Sequence, residues 1–532
     1  MDCGTRRMFF GWWAPATLAL LLSLVVGCAN APSLQSETAS TASDAYETRD
    51  TERAAAWFEE HRDQPPALRI FLQRMPKGGD LHSHLSGAVY AESYLGWGAE
   101  ENYCVREVDE EMELLKCVPG DPRLTPLATL TDSKIYNRLI DRMSTRNLAF
   151  AERTGHSDFF AAFRAASPVS RLREGEVVAE VATRAAEQTT YYLELMISPQ
   201  NLAVRELGRQ IGLRADLAST RDALLEAGLA DLVAAGRDEL DKMEEELQRV
   251  MDCDGANASP GCEVTIRFLQ QTSRNRTPAE VFAQLSFAFE IARADPRMVG
   301  LNLISPEDDR VALRDYTAHM QMLAFLSSTA PEPVNIALHA GELTLGLVPP
   351  EDLRFHIREA VEVARAHRIG HGVDIAYEND ALELLAVMRE RGVLVEICLT
   401  SNDIILDVRD DEHPLPLYLE AGVPLALATD DEGISRIDLS HEFLRAALSY
   451  DLGYRDLKTM ARNSLAHSFL PGASLWQQPG EFALTPACAN DTPGSGNPTR
   501  ACANFLAASE RAWEQWRLEA ELLEFETLNW AH

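Results

Sequence analysis

Eight short β-rich runs, several of them nearly continuously apolar and each separated from the next by a longer helical stretch, constrain this 532-residue chain more than any other feature. They cover residues 80–85, 191–197, 263–271, 298–303, 334–340, 368–372, 393–398 and 424–429. A strand that is apolar on both faces belongs in a parallel sheet covered on both sides. Eight such strands alternating with helices favour an α/β architecture, a (β/α)8 barrel of the TIM type, over an open sheet. Residues 202–251, rich in Glu, Leu and Ala, read as a helical insertion on that barrel. The pattern also predicts a first helix over 52–75 and helical periodicity over 137–189. A single amphipathic helix over 504–529 is expected on the barrel's outside.

The N-terminus reads as a targeting segment. Arg6 and Arg7 precede an apolar run over 8–26 that ends Val25-Val26-Gly27-Cys28. A basic start, an apolar middle and small residues at the cut describe a bacterial secretory signal. The cysteine after Gly27 resembles a lipobox, which implies cleavage and lipidation at Cys28. A transmembrane anchor is the alternative, but the Ser/Thr/Ala-rich stretch 29–44 carries no stop-transfer flank. Either way the folded part is expected outside the cytoplasm, in the bacterial envelope. Ala29 after the cysteine resembles lipoproteins sorted to the outer membrane, facing the periplasm. Membrane contact is then through this anchor alone.

Cysteine usage fits an oxidising compartment. Close pairs suggest disulfides Cys104–Cys117, Cys253–Cys262 and Cys488–Cys502, although six cysteines allow about 15 connectivities. Cys398, inside an apolar run, is expected as a buried free thiol. No Cys-x-x-Cys occurs, which removes zinc ribbons and cysteine-based deaminase motifs. A formal charge of −33 repels phosphate backbones and argues against nucleic acid as a partner.

The chemistry concentrates where a parallel barrel puts it, at the C-terminal ends of strands. His82 and His84 lie one residue apart on the first strand, and side chains two residues apart on a strand share a side. His339 and Glu342 follow the fifth strand, His371 the sixth, and Asp430-Asp431-Glu432 the eighth. Each has a structural alternative: a core histidine, a helix-start carboxylate, a loop histidine between glycines, a solvated turn. Singly, those alternatives are the commoner. Jointly they would require chance to place every one at the same end of successive strands. Three histidines and a carboxylate leave one position open for water, the pattern of catalytic zinc.

Residues 75–87, 339–342, 369–372, 400–402 and 429–431 together resemble, in order, the signature of the adenosine deaminase family of the amidohydrolase superfamily. The likeness runs from about residue 74 to 470, and with the signal peptide it is similar to the secreted, growth-factor-like branch. It implies a metal-dependent deaminase domain over 53–475, after a signal peptide (1–27) and lipid-anchored linker (28–52). Residues 476–532 would form a disulfide-closed loop and the C-terminal helix.

It implies one Zn2+ per chain on His82, His84, His339 and Asp430. Glu342 would protonate purine N1, His371 would orient and help deprotonate the attacking water, and Asp431 would bond purine N7; Glu342, His371 and Asp430 form the catalytic set. A binuclear centre would need a bridging lysine near the end of the fourth strand, and Lys77, Lys116, Lys134, Lys242 and Lys458 all lie elsewhere.

Departures bear on the substrate. Ser86, before Gly87, stands where the family has an acid meeting the ribose 5′-hydroxyl, and Ile304-Ser305-Pro306 replaces a purine-contacting glycine segment. Ser86, Gly87, Ser305 and Asp431 are therefore the expected substrate contacts. Arg267, Arg274 and Arg276 read as surface residues, with a substrate phosphate as the alternative. The Phe-rich run 157–163 reads as a lid over the site or as helix-core packing. The expected activity is deamination of adenosine or a related aminopurine nucleoside to inosine, or its analogue, and ammonia. A different aminopurine or nucleotide, another amidohydrolase reaction, and a non-catalytic nucleoside-binding surface protein remain as alternatives. Oligomeric state is left open.

Overall fold

The computed structural model describes residues 48–108, 111–146, 148, 154–478, 480–528 and 530. The expected signal peptide, Cys28 and most of the linker lie outside them. Among the described residues the strands are β1 (Gly78–His84), β2 (Tyr103–Val108), β3 (Glu111–Lys116), β4 (Thr125–Pro126), β5 (Thr190–Ile197) and β6 (Thr265–Ser273). They continue with β7 (Met298–Ile304), β8 (Asn335–Ala340), β9 (Arg368–His371), β10 (Leu394–Ile397) and β11 (Leu425–Leu427).

Strand β1 and strands β5 to β11 form one eight-stranded sheet, paired in chain order and parallel throughout. Just past β11, the Asp430 amide donates to the His82 carbonyl (2.8 Å) and the His84 amide to the Asp430 carbonyl (3.1 Å). These bonds carry the last strand's exit back to the first and all but close the expected (β/α)8 barrel. Every predicted run became a strand, with ends shifted by no more than about two residues, the ordinary uncertainty of such boundaries. Strand β6 starts late because Pro260–Glu263 forms a 3-10 turn whose Cys262 is bridged to Cys253.

Three expectations change. The first helix is two, Arg49–Glu60 and Pro65–Arg74. Proline lacks the amide proton and clashes with the preceding turn, so Pro65-Pro66 begins a helix and cannot continue one. The linker accordingly ends earlier than residue 52, at the Thr48 cap. The 103–126 segment is a small antiparallel sheet, in which the Cys104–Cys117 bridge spans the β2–β3 hairpin and Val105, Met112 and Leu114 are buried.

At the C-terminus, Ser509 caps a second helix, so Arg500–Ala507 and Glu510–Thr527 are separate. The latter does not lie on the barrel's side. Its Leu518 and Leu522 pack with Leu81, Tyr192, Leu394 and Ala426 beneath the barrel, opposite the histidines. Glu514 accepts from Thr265 at the start of β6 (2.6 Å), which fixes the helix under that end. The Cys488–Cys502 loop packs a small core of its own around Trp476, Phe482 and Trp516.

Among the described residues no helix is long and apolar enough to cross a membrane. If the terminal helix is the barrel's floor, Leu522→Ala should lower the urea midpoint by the equivalent of about 2–5 kcal/mol. Glu524→Ala, at an exposed position of the same helix, should change it by less than about 0.5 kcal/mol.

Candidate active site

The strand ends deliver their side chains to one buried point. Nε2 of His339 lies 3.1 Å from Nε2 of His82 and 3.1 Å from Nε2 of His84. Asp430 Oδ1 lies 3.5 Å from the first of these partners and 3.3 Å from the second. The remaining ring nitrogens fix the tautomers. Nδ1 of His82 meets Glu396 Oε2 (2.6 Å), that of His84 meets Gln271 Oε1 (2.9 Å), and that of His339 meets Asn302 Oδ1 (2.8 Å). Gln271 uses its amide nitrogen on the Met196 carbonyl, and Asn302 Oδ1 also accepts the His339 amide, so both amide orientations are set.

Each Nδ1 therefore carries hydrogen, and three Nε2 lone pairs face a carboxylate oxygen that has no hydrogen-bond donor. Such an arrangement is repulsive unless a cation joins it. A proton cannot do the whole job. Burial works against protonating His82, yet the Asp430 and Glu396 carboxylates lift its pKa to about 10. That proton would still leave the lone pairs of His84 and His339 opposed. These four separations, 3.1–3.5 Å, are close to the edge, about 3.3 Å, of a tetrahedron with metal–ligand bonds of about 2.0–2.1 Å. The donor set fits a divalent ion, with the outer partners that orient metal-bound histidines.

Backbone geometry serves this convergence. Asp430 and His371 adopt left-handed φ of 58° and 70°, unusual outside glycine, which turn the strand ends inward. A Cβ on Gly370 would strike the His82 ring, and one on Gly87 would overlap the Asp431 carboxylate.

His371 stands beside the cluster, its Nε2 3.7 Å from Glu342 Oε1. Its tautomer is set by a relay. The Leu415 amide donates to His413 Nδ1 (3.1 Å), so His413 Nε2 donates to Asn402 Oδ1 (3.1 Å). Asn402 then donates from Nδ2 to His371 Nδ1 (3.0 Å), leaving the His371 hydrogen on Nε2. Burial holds the ring neutral, with a pKa of about 3. His371 thus offers the site an N–H donor.

Two neighbouring acids are pushed toward their protonated forms. Burial, and then the charge on Asp430, push Glu342 well above the ordinary carboxylate range. The same two causes raise Asp431, whose Oδ1 is buried without a partner. Asp430 itself is held below the ordinary carboxylate range: burial opposes this, but the adjoining His82 and His84 outweigh it.

Glu342 is aimed by a residue the sequence reading passed over. The Glu307 carboxylate accepts the amides of Gly341 (3.2 Å) and Glu342 (2.9 Å), while His356 Nδ1 approaches it at 2.6 Å and Arg274 at 3.6 Å. Arg274 is fully buried and also donates to the carbonyls of His339 and Ser305, which corrects its expected surface role. Arg267 pairs with Glu510 at the opposite end of β6, away from the site.

Of the expected substrate contacts, Ser86 lines a cleft of about 790 Å3 at the barrel mouth, together with Leu85, Gln271 and Ile304. Gly87 lies beneath Asp431. Ser305 turns its carbonyl to Arg274, and Ile304 forms that part of the wall. Helix Gly155–Ala166 sits at the rim: Phe159 is buried against Val373, Ile405 and Ile434, with Phe160 and Phe163 partly buried.

The family model described as adenosine deaminase matches residues 122–475, more than half of the chain. It begins after His82 and His84, which join the matched part through the barrel closure. Among curated relatives, the adenosine deaminase of Enterococcus faecalis is 35% identical over 138 residues, 26% of this chain and 37% of its own. An aminodeoxyfutalosine deaminase of Streptomyces avermitilis is 38% identical over 136 residues, 25% and 35% of the two chains. The chain thus spans little more than a third of the length of these relatives. The apo structure of an N6-methyl-AMP deaminase from Arabidopsis thaliana covers 76% of this chain and 94% of its own, with 20% identity and a TM-score of 0.48.

The Glu307 cluster has a pH signature. Burial would raise its pKa from the ordinary 4.5, but Arg274 and then His356 outweigh that and bring it to about 2. A depressed pKa stabilises the fold above the unfolded-state value and loses that effect as pH falls toward the folded value. The stability difference between wild type and Glu307→Gln should be greatest above about pH 5 and shrink toward pH 2, measured as urea midpoints across that range.

Proposed function

We propose that this chain, which belongs to the adenosine deaminase family, hydrolyses the exocyclic amine of an aminopurine nucleoside, adenosine being the simplest, to give inosine or its analogue and ammonia. The observation that carries this reading is the convergence of His82, His84, His339 and Asp430 beside Glu342, a buried carboxyl pushed well above the ordinary carboxylate range by burial and the Asp430 charge. A binding protein has no use for such an acid.

We assign His82, His84, His339 and Asp430 to one zinc ion, since mixed imidazole and carboxylate ligands suit zinc. The bound ion would supply Lewis acidity, making a water acidic enough to act as nucleophile near neutral pH.

The residues do the rest. Glu342 gives its proton to ring nitrogen N1 as the water oxygen adds to C6, so the ring accepts electrons without building an anion on nitrogen. Asp431 is also protonated, which lets it donate to N7, an acceptor that a carboxylate could not bond. His371 directs its Nε2 hydrogen at the oxygen that adds and orients it. The relay through Asn402 and His413 favours this donor role over the expected removal of a proton from the water. Glu307, accepting the Gly341 and Glu342 amides, fixes the turn that carries Glu342. The added water gives up two protons: one returns to the Glu342 carboxylate in place of the proton given to N1, the other passes to the amine, so the C6–N bond breaks, ammonia leaves and C6 becomes the carbonyl.

The same reading places the protein outside the cytoplasm as a lipid-anchored envelope enzyme acting on external nucleosides. The three disulfides support an oxidising compartment. Removal of the general acid is the direct test. Glu342→Gln, loaded with zinc, should lower kcat for ammonia release from adenosine by about 10²–10⁴-fold while retaining its metal. Full activity in that variant, or no ammonia from any aminopurine with the wild type, would refute the proposal.

A further inference from the structure

The long helical insertion takes no part in the chemistry above, yet it shapes the way in. Helix Leu229–Met251 supplies Leu240 and Met243 to the wall of the cleft at the barrel mouth. The inner end of that cleft reaches the residues next to the site: Gln271, whose side chain meets His84, and Ser86 at the exit of β1. Outward, Leu172 and Val177 precede and begin the helix that leads into β5, and Leu202 stands at the rim, 72% exposed.

This wall is built in advance. Glu239 on the inserted helix accepts the Gln200 backbone amide (3.1 Å) and side-chain amide (2.7 Å), fastening it to the loop after β5. About two turns further, Glu246 accepts the Gly175 amide (2.8 Å). A Cβ on Gly175 would run into the Glu246 side chain, so the two helices meet without a gap. Both carboxylates are thereby engaged with backbone and amide donors, and Leu240 and Met243 lie between them in sequence as the lining. At about 790 Å3 the cleft falls in the upper part of the roughly 300–1,000 Å3 typical of ligand pockets.

The reacting carbon must lie beside Glu342 and the histidine cluster, so the sugar and anything attached to it lead into this cleft. Ser86 puts a small neutral side chain along that path. Beyond it Leu172, Val177, Leu240 and Met243 form an apolar strip, beside the charged Arg171, Glu174 and Lys242, and that strip gains by removing apolar surface from water.

We propose that the inserted helix forms a subsite for a large, mainly apolar group on the sugar, and that the preferred substrates are aminopurine nucleosides whose 5′-hydroxyl carries or is replaced by such a group. The inference rests on the deaminase reading above and changes no step of it; the amine is still exchanged for the oxygen of water at the purine.

The test compares ammonia release from 5′-S-benzyl-5′-thioadenosine and from adenosine by the zinc-loaded full chain. The thioether should show kcat/KM at least about tenfold above adenosine, the scale that a few extra apolar groups confer in a fitted pocket. Leu202→Asp sets a charge at the exposed rim without burdening the core, and should lower the ratio of the two efficiencies about fivefold or more. Adenosine preferred over the thioether, or a ratio unmoved by Leu202→Asp, overturns the subsite while leaving the deaminase reading intact. Ammonia from neither nucleoside overturns both.

Discussion

The molecule is arranged around an electrostatic demand: three imidazole nitrogens and a carboxylate oxygen converge in a buried pocket, His339 and Asp430 each 3.1–3.5 Å from His82 and His84, an arrangement that a divalent cation would satisfy. The barrel closes at the same place, since the Asp430 backbone that completes the sheet against His82 and His84 also carries the fourth ligand. Closing the fold and assembling the site are one event.

That demand propagates inward through groups with no water to neutralise them. Glu396 takes the His82 ring on one oxygen and Arg368 Nε on the other (2.6 Å each). Arg368, fully buried over the Phe469 ring, donates next to Glu194 (2.6 Å), which also accepts from Tyr192 (2.7 Å). With Asp430 counted, three carboxylates face one guanidinium, and the two negative charges left over are what a divalent ion cancels. A buried network of this kind is stable only when every member is paired. It also restricts its neighbours: Gly370 has no room for a side chain because His82 occupies that space. A second network, Glu307 with Arg274 and His356, does for Glu342 what the first does for the ion, fixing the turn in which the acid sits.

Much of this was legible in the sequence because it follows from short-range rules. Period-two geometry put His82 and His84 on one side, and the barrel rule put His339, His371 and Asp430 at the same rim. What escaped detection depends on long-range pairing. Nothing near Glu396, Asn302 or Gln271 marks them as partners of histidines 314, 37 and 187 residues away. Arg274 reads as an ordinary charged residue past a strand, and only the fold shows Glu307 beneath it. The His371 tautomer depends on His413, which lies in a loop without periodicity. The missed hairpin at 103–116 is short and charged, its apolar alternation limited to a few positions. Pro65-Pro66 was a break that the sequence did offer and that helical periodicity obscured.

The inserted helix and the helix beneath the barrel show two uses of added segments on one scaffold. One enlarges the mouth where specificity is set; the other seals the floor, where tight packing favours stability. Both claims are secondary to the convergence at the rim. The most direct test of that is metal analysis with X-ray absorption at the zinc edge on the full chain. The account predicts one zinc per chain, with three imidazole nitrogens and at least one oxygen at about 2.0–2.1 Å. An active protein that binds no metal, or an ion surrounded by sulfur or by oxygen alone, would contradict it.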